Sequence, residues 1–140
     1  MNVILTLIPF FILVYGAYWD FRKRIIPNSV PILLIILGVL QCCILNTNNI
    51  ALGDRIAGII LPAILLFGLY IFNSNGLGGG DYKLLIAMGW LLGLAGFIKL
   101  MLVSCILSIV YCVIHKTKTV PFAVPIFISY SYLICFNYIV

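Results

Sequence analysis

The chain of 140 residues contains three acidic residues, all of them aspartates. Asp20 and Asp81 each stand at the edge of a long apolar run, and Asp81 closes the string Gly78-Gly79-Gly80-Asp81. A charged side chain near the centre of a membrane helix costs about 2.5 to 3.5 kcal/mol on insertion scales, so acids kept beside such runs mark function. Two carboxylates that share a proton can activate water against an amide. Asp20 and Asp81 are therefore the candidate pair for acid–base hydrolysis of a peptide bond in a membrane, a chemistry that requires no metal and no organic cofactor.

Each acid also has a plainer reading. Asp81 could cap a helix, and Asp20 could be a boundary residue balanced by Arg22, Lys23 and Arg24. Three successive glycines before Asp81 exceed what a cap needs. They allow positive φ or close backbone approach, and they leave room for a substrate chain. A phosphate cradle is excluded, because the motif ends in an acid with no Lys-Ser or Lys-Thr after it. Asp54, between Gly53 and Arg55, is expected to cap a helix on the opposite side of the membrane, outside the pair.

The composition sets the surroundings. The chain is 65% hydrophobic and 8% charged, with a mean hydropathy of +1.29, whereas soluble domains carry roughly 25% charged residues. This predicts a single all-α unit over residues 1–140, a polytopic helix bundle in the lipid bilayer. The net charge of +5 falls in short loops, and no basic face is available for nucleic acid. The five cysteines lie in apolar segments with no Cys-x-x-Cys, which reads as packing rather than metal or redox chemistry. His115 belongs to a basic loop at the membrane surface.

A crossing needs roughly 20 apolar residues, which divides the chain into about six spans. The first covers residues 2–19 and is a retained helix, since its basic cluster follows the apolar run. Pro27 and Asn28 open the second, which runs to about Leu45. The third covers 54–72, and a Gly-rich loop follows. The fourth and fifth, 81–95 and 97–114, are separated by a turn at Gly96, and Pro121 opens the sixth, 121–140. With the N-terminus outside, Arg22, Lys23, Arg24, Lys83, Lys116 and Lys118 face the cytoplasm, and Arg55 and Lys99 face outward. Asp20 and Asp81 then share the cytoplasmic side, with Asn28 within reach of Asp20.

The string Gly16-Ala17-Tyr18-Trp19-Asp20-Phe21-Arg22-Lys23-Arg24-Ile25-Ile26-Pro27-Asn28 resembles the first conserved block of the type IV prepilin peptidases, an Asp followed by a basic stretch and Ile-Pro-Asn. Gly78-Gly79-Gly80-Asp81-Tyr82-Lys83-Leu84 resembles their second block, Gly-x-Gly-Asp-x-Lys-Leu, and Gly89 follows at the expected distance. Val120-Pro121-Phe122-Ala123-Val124-Pro125 is similar to the Pro-rich entry to their last helix. The resemblance implies a multi-pass plasma-membrane protein that cleaves a short basic leader from prepilin-like substrates at the cytoplasmic face. Asp20 and Asp81 match the two catalytic acids, with Gly78, Gly80, Lys83, Pro27 and Asn28 as supporting positions. Larger members of that family also N-methylate the new N-terminus and carry paired Cys-x-x-Cys motifs in an N-terminal region. This sequence has neither, so peptidase activity alone is expected. Two other classes keep the six spans. A small transporter or channel would place its acids nearer the midplane, in broken helices or repeats, and a non-enzymatic assembly subunit would not need both acids. The particular substrate and the oligomeric state are not specified.

Overall fold

A computed structural model describes residues 3–45, 50–72, 78–116 and 121–139. These residues form five helices: α1 (Val3–Lys23), α2 (Ser29–Leu40), α3 (Leu52–Phe72), α4 (Gly79–His115) and α5 (Ala123–Ile139). A π-helical turn, Gln41–Leu45, extends α2. Among the described residues there is no strand.

The helix ends follow from local chemistry. Arg22 and Lys23 occupy the last turn of α1, where cations suit the negative end of the helix dipole. Arg24 then takes a left-handed φ of 52°, while its N–H bonds the Asp20 carbonyl at 2.8 Å and closes the helix. Pro27 and Asn28 precede α2 and supply carbonyls to Val30 and Ile32, which agrees with the expected start of the second helix. In α3 the Ala51 carbonyl accepts the N–H groups of both Asp54 and Arg55. Asp54 is thus in the first turn rather than at the cap, still at the positive end of the helix dipole.

The expected turn at Gly96 lies instead at Gly93, which has φ 69° and ψ 178° within α4. The stretch Gly79–Ile114 is long and apolar enough to cross a membrane. As a straight helix its 36 residues would run about 54 Å, well beyond the roughly 30 Å of a hydrocarbon core. It does not run straight. Leu85, before Gly93, and Phe97 and Met101, after it, line one cavity of about 330 Å³ with Pro62, Leu65 and Leu66 of α3. On a straight helix Leu85 and Met101 would be about 24 Å apart. The chain therefore doubles back at Gly93, and both limbs of α4 pack on α3. Five elements stand where six helices were expected because this reversal occurs inside one of them. Only glycine takes that backbone conformation without strain.

Leu13, Val30, Leu34, Leu84, Leu85, Met88, Phe97, Leu100 and Ile126 form the buried core. The outside is also apolar: Phe11, Phe21 and Phe67 are 67%, 69% and 67% exposed. This is a surface suited to lipid rather than water. Where α3 meets the first limb of α4, a Cβ on Gly58 would lie 2.4 Å from the Gly89 carbonyl oxygen, so the two backbones touch. Small residues permit this approach, the usual basis of helix pairing in lipid. Two expectations are corrected. None of the five cysteines is buried, and Cys43, Cys105 and Cys135 are exposed. In the second limb of α4 it is Leu100 and Ser104 that face inward. Arg55, assigned to the outer surface, is only 1% exposed, because its guanidinium finds carbonyl partners between helices.

Gly93→Ala should lower stability by about 1 to 3 kcal/mol, from the positive φ and from a Cβ placed 2.8 Å from Ile50. Gly68→Ala meets nothing within 4 Å and should be neutral or stabilising by up to about 1 kcal/mol through helix propensity. Thermal unfolding in detergent measures both.

Candidate active site

Asp20 lies in the final turn of α1 and is 5% exposed. Its carboxylate does not turn to the basic residues that follow it in sequence. Arg22 donates to the Tyr18 hydroxyl at 2.7 Å, and Lys23 sits 4.1 Å over the Trp19 ring. Of the three, Arg24 acts electrostatically on Asp20. The carboxylate instead accepts the backbone N–H of Ala123 at 2.9 Å. Ala123 is the first residue of α5, so the acid at the end of α1 occupies the positive end of α5, where unpaired N–H groups favour an anion.

Asp81 is positioned by its own helix. Gly78 is the residue before α4, with extended φ −70° and ψ 143°, and its carbonyl accepts the Asp81 N–H at 3.0 Å. The Asp81 carboxylate folds back beside Gly78, where a Cβ would lie 3.3 Å from one of its oxygens. The carboxylate thus sits at the start of its own helix, where unpaired N–H groups favour an anion. The capping reading of Asp81 and the site reading are thus compatible. The carboxylate beside Gly78 is also close enough for the Asp20 charge to act on it. Two acids 61 positions apart in sequence come within electrostatic reach of each other, on two helices, α1 and α4, that both pack on α5. Asp54 is remote from them. It lies beside the Gly93 turn, where a Cβ built on Gly93 would be 3.7 Å from the Asp54 Cβ. A separation of 12 residues from Asp81 to Gly93 corresponds to about 18 Å of helix.

The glycine run works through space alone. None of Gly78, Gly79 and Gly80 has positive φ, so the expected backbone freedom is not used. A Cβ on Gly80 would lie 3.0 Å from the Ile26 Cβ, and one on Gly78 would lie 3.3 Å from an Asp81 carboxylate oxygen. Gly79 has open space around it. Ile26 is buried, so the first turn of α4 rests on the linker that follows Asp20. Asn28 is not a partner of Asp20. Its side-chain oxygen accepts from Lys83 Nζ at 2.9 Å and ties the start of α2 to α4. Pro27 contributes its carbonyl to Val30 at the entry of α2.

Among the described residues no three of His, Cys, Asp and Glu come together as a metal would require. The chemistry this arrangement can perform is proton transfer between two carboxylates and a water or substrate atom held between them. The sequence reading missed the Ala123 N–H as partner of Asp20. Pro121 and Pro125 on either side of it marked a helix entry, but nothing in the order of residues told which acid that entry would meet.

A model of the type IV leader peptidase family matches residues 7–113, most of the chain. A protein named Prepilin leader peptidase/N-methyltransferase from Aeromonas salmonicida (strain A449) is 27% identical over 123 residues, covering 79% of this chain and 42% of that protein. One of the same name from Aeromonas hydrophila is 28% identical over 123 residues, with the same coverage. The chain thus spans about two fifths of the length of these curated relatives. No solved structure matches it at a significant level.

Because Asp20 caps α5, Asp20→Ala should cost about 1 kcal/mol of stability. Asp20→Asn keeps an acceptor oxygen for the Ala123 N–H and should retain most of it. Unfolding of the two variants in detergent distinguishes them, and equal losses would remove the capping role.

Proposed function

The chain belongs to the type IV leader peptidase family, and on that premise we propose that it is a membrane aspartyl endopeptidase whose reacting groups are Asp20 and Asp81. What supports the proposal is a pair of acids on two helices of an apolar bundle, within electrostatic reach of each other, one bonded to the N-terminal N–H of α5 and the other in the first turn of α4. Two helix starts, that of α5 for Asp20 and that of its own helix for Asp81, therefore hold the acids in place before any substrate arrives, as acid–base catalysis requires.

The pair holds one proton between its carboxylates. The ionised member takes a proton from water as the water oxygen attacks the scissile carbonyl carbon, and the protonated member gives its proton to the carbonyl oxygen. The resulting gem-diol collapses when the newly protonated carboxyl delivers its proton to the amide nitrogen and the C–N bond breaks. The other carboxylate accepts a diol hydroxyl proton, and the pair returns to its starting state with one proton. The steps balance with water as the only co-reactant.

The substrate class comes from the relatives named above. A prepilin-like protein has a basic leader followed by an apolar helix. That helix stays in the bilayer and slides beside α1 and the first limb of α4, which brings the leader junction to the acids. The reversal at Gly93 supports counting the two limbs of α4 as separate crossings, which gives six. With Arg55 buried, the basic residues on the proposed cytoplasmic side outweigh Lys99 on the other more strongly than the sequence count suggested. The active site then lies at the cytoplasmic face of the plasma membrane, with the N-terminus outside. The dyad supplies no methyl-transfer chemistry, and the proposal concerns the peptidase step.

Co-expression with a prepilin-like substrate, read as a mobility shift on a gel, tests this function. Asp20→Asn and Asp81→Asn should each abolish cleavage with the protein still inserted, and Asp54→Asn should retain it. Substantial turnover in either of the first two would remove the two-carboxylate mechanism. Gly78→Ala and Gly80→Ala should slow cleavage on the order of 10- to 100-fold, since a shift of about 1 Å at the reacting groups costs that much. Gly79→Ala should cleave at close to the wild-type rate. For orientation, a single cysteine at Lys116 in a cysteine-free background should label only once the membrane is opened.

A further inference from the structure

Arg55 is the largest fully buried side chain among the described residues. A guanidinium cannot shed its charge in a protein, and burying one without a compensating partner is expensive. Its bonds run to two backbone carbonyls, Gly38 of α2 at 3.4 Å and Trp90 of α4 at 3.2 Å. Its central carbon lies 5.9 Å from the centroid of the Trp90 ring. Its own Nε and the Trp90 Nε1 are buried without partners among the described residues. This is a costly arrangement to keep inside an apolar bundle.

Its position explains what it does. Gly93 breaks the helical path of α4, and the carbonyls of the turn before a helix end lose their partners. Trp90 is in that turn. Arg55 takes up its carbonyl and, with the same nitrogen, reaches α2 one turn before the π-helical turn Gln41–Leu45. The Trp90 ring packs directly on Gly38, where a Cβ would come within 2.5 Å of its Cδ1 and Nε1. At the other end of the same limb Lys83 donates to Asn28 of the α2 entry. The first limb of α4 is therefore tied to α2 by a cation at each end, and Asp81 stands two residues beyond the second tie. Between the ties α2 and the first limb of α4 line an apolar cleft, and on the other side the Gly58–Gly89 crossing to α3 sets a distance but little directionality. The two hydrogen bonds from Arg55 set a height and a rotation.

We propose that Arg55 is a positioning residue that clamps the far end of the first limb of α4 against α2 and so fixes where Asp81 stands relative to Asp20. The inference rests on the two-aspartate reading for its kinetic consequence and on packing alone for its mechanical one.

The test uses Arg55→Met and Arg55→Lys in the full chain, with two readouts. In substrate cleavage at matched membrane levels, Arg55→Met should lower kcat on the order of 10- to 100-fold with KM within about twofold, because binding survives and alignment does not. Arg55→Lys, whose ammonium still reaches a carbonyl, should recover a large part of the loss. The second readout needs no activity. Cysteine pairs at Ile32 and Ile86, or at Ile35 and Ile86, across the cleft these residues line between α2 and α4, are oxidised in a background without native cysteines. One pair should cross-link in preference to the other with Arg55 present, and the preference should fall with Met and return with Lys. Should Arg55→Met fail to accumulate, Arg55→Gln, which keeps an uncharged donor, should show a reduced kcat and a reduced preference. Wild-type kcat with an unchanged cross-linking preference overturns the proposal, as does a loss of activity that leaves the preference intact. If the wild-type chain cleaves no prepilin-like substrate, the peptidase reading fails, and the cross-linking result still decides the clamp.

Discussion

Oil inside and oil outside is the constraint on which this structure depends. Leu34 and Leu84 are buried, while Phe11 and Phe67 are largely exposed, yet their chemistry is the same. Hydrophobic burial, the main force that selects an arrangement in a soluble protein, distinguishes weakly between these positions when lipid covers the outside. The arrangement is left to the atoms that lipid cannot satisfy and to the places where backbones can touch. Among the described residues, polar ties join one element to another: Ala123 to Asp20, Lys83 to Asn28, Tyr82 to the Leu66 carbonyl, Tyr130 to the Thr6 carbonyl, and Arg55 to two carbonyls at once. Each partner, if lost, leaves a polar group in a medium with nothing to replace it.

The acids fit this scheme. Lipid makes a lone carboxylate expensive, so each is attached to a helix N-terminus, the one place in a bundle where unpaired N–H groups are always available. Asp81 uses the start of its own helix, and Asp20 uses the start of another. Asp20 and Asp81 are thereby held within electrostatic reach of each other. The same bonds that make the acids tolerable also hold them in register for proton exchange. Stability and the proposed chemistry draw on the same contacts, which is why Asp→Asn and Asp→Ala at position 20 separate them.

Much of the molecule was readable along the chain. The apolar runs, their basic boundaries and the paired prolines and glycines located helix starts to within a few residues, because capping and breaking are decided locally. The α2 entry after Pro27 and the α4 entry after Gly78 are cases in point. The turn in α4 was read at Gly96 rather than Gly93. Both are glycines in one apolar stretch, and Gly93 is the one packed so closely on Ile50 and Asp54 that a Cβ has no room, which local sequence does not record. Arg55 was read as a surface charge because a helix start beside a polar stretch is normally wet. Its burial follows from a carbonyl set free 35 positions later.

By itself the sequence determined that the chain is helical and apolar throughout, where most helices begin, and which two acids are set apart from the third. Tertiary structure decided that Asp20 is held by α5, that Asn28 serves Lys83 and not Asp20, that the glycines before Asp81 provide room rather than unusual φ, and that Arg55 lies inside. The physical reason is one of range. Caps, breaks and apolar periodicity are set by neighbours within a turn or two, which the order of residues records. The partner of a buried polar atom is whichever group the packed helices bring within about 3 Å, and with apolar faces on every side, nothing in a single helix names that partner in advance.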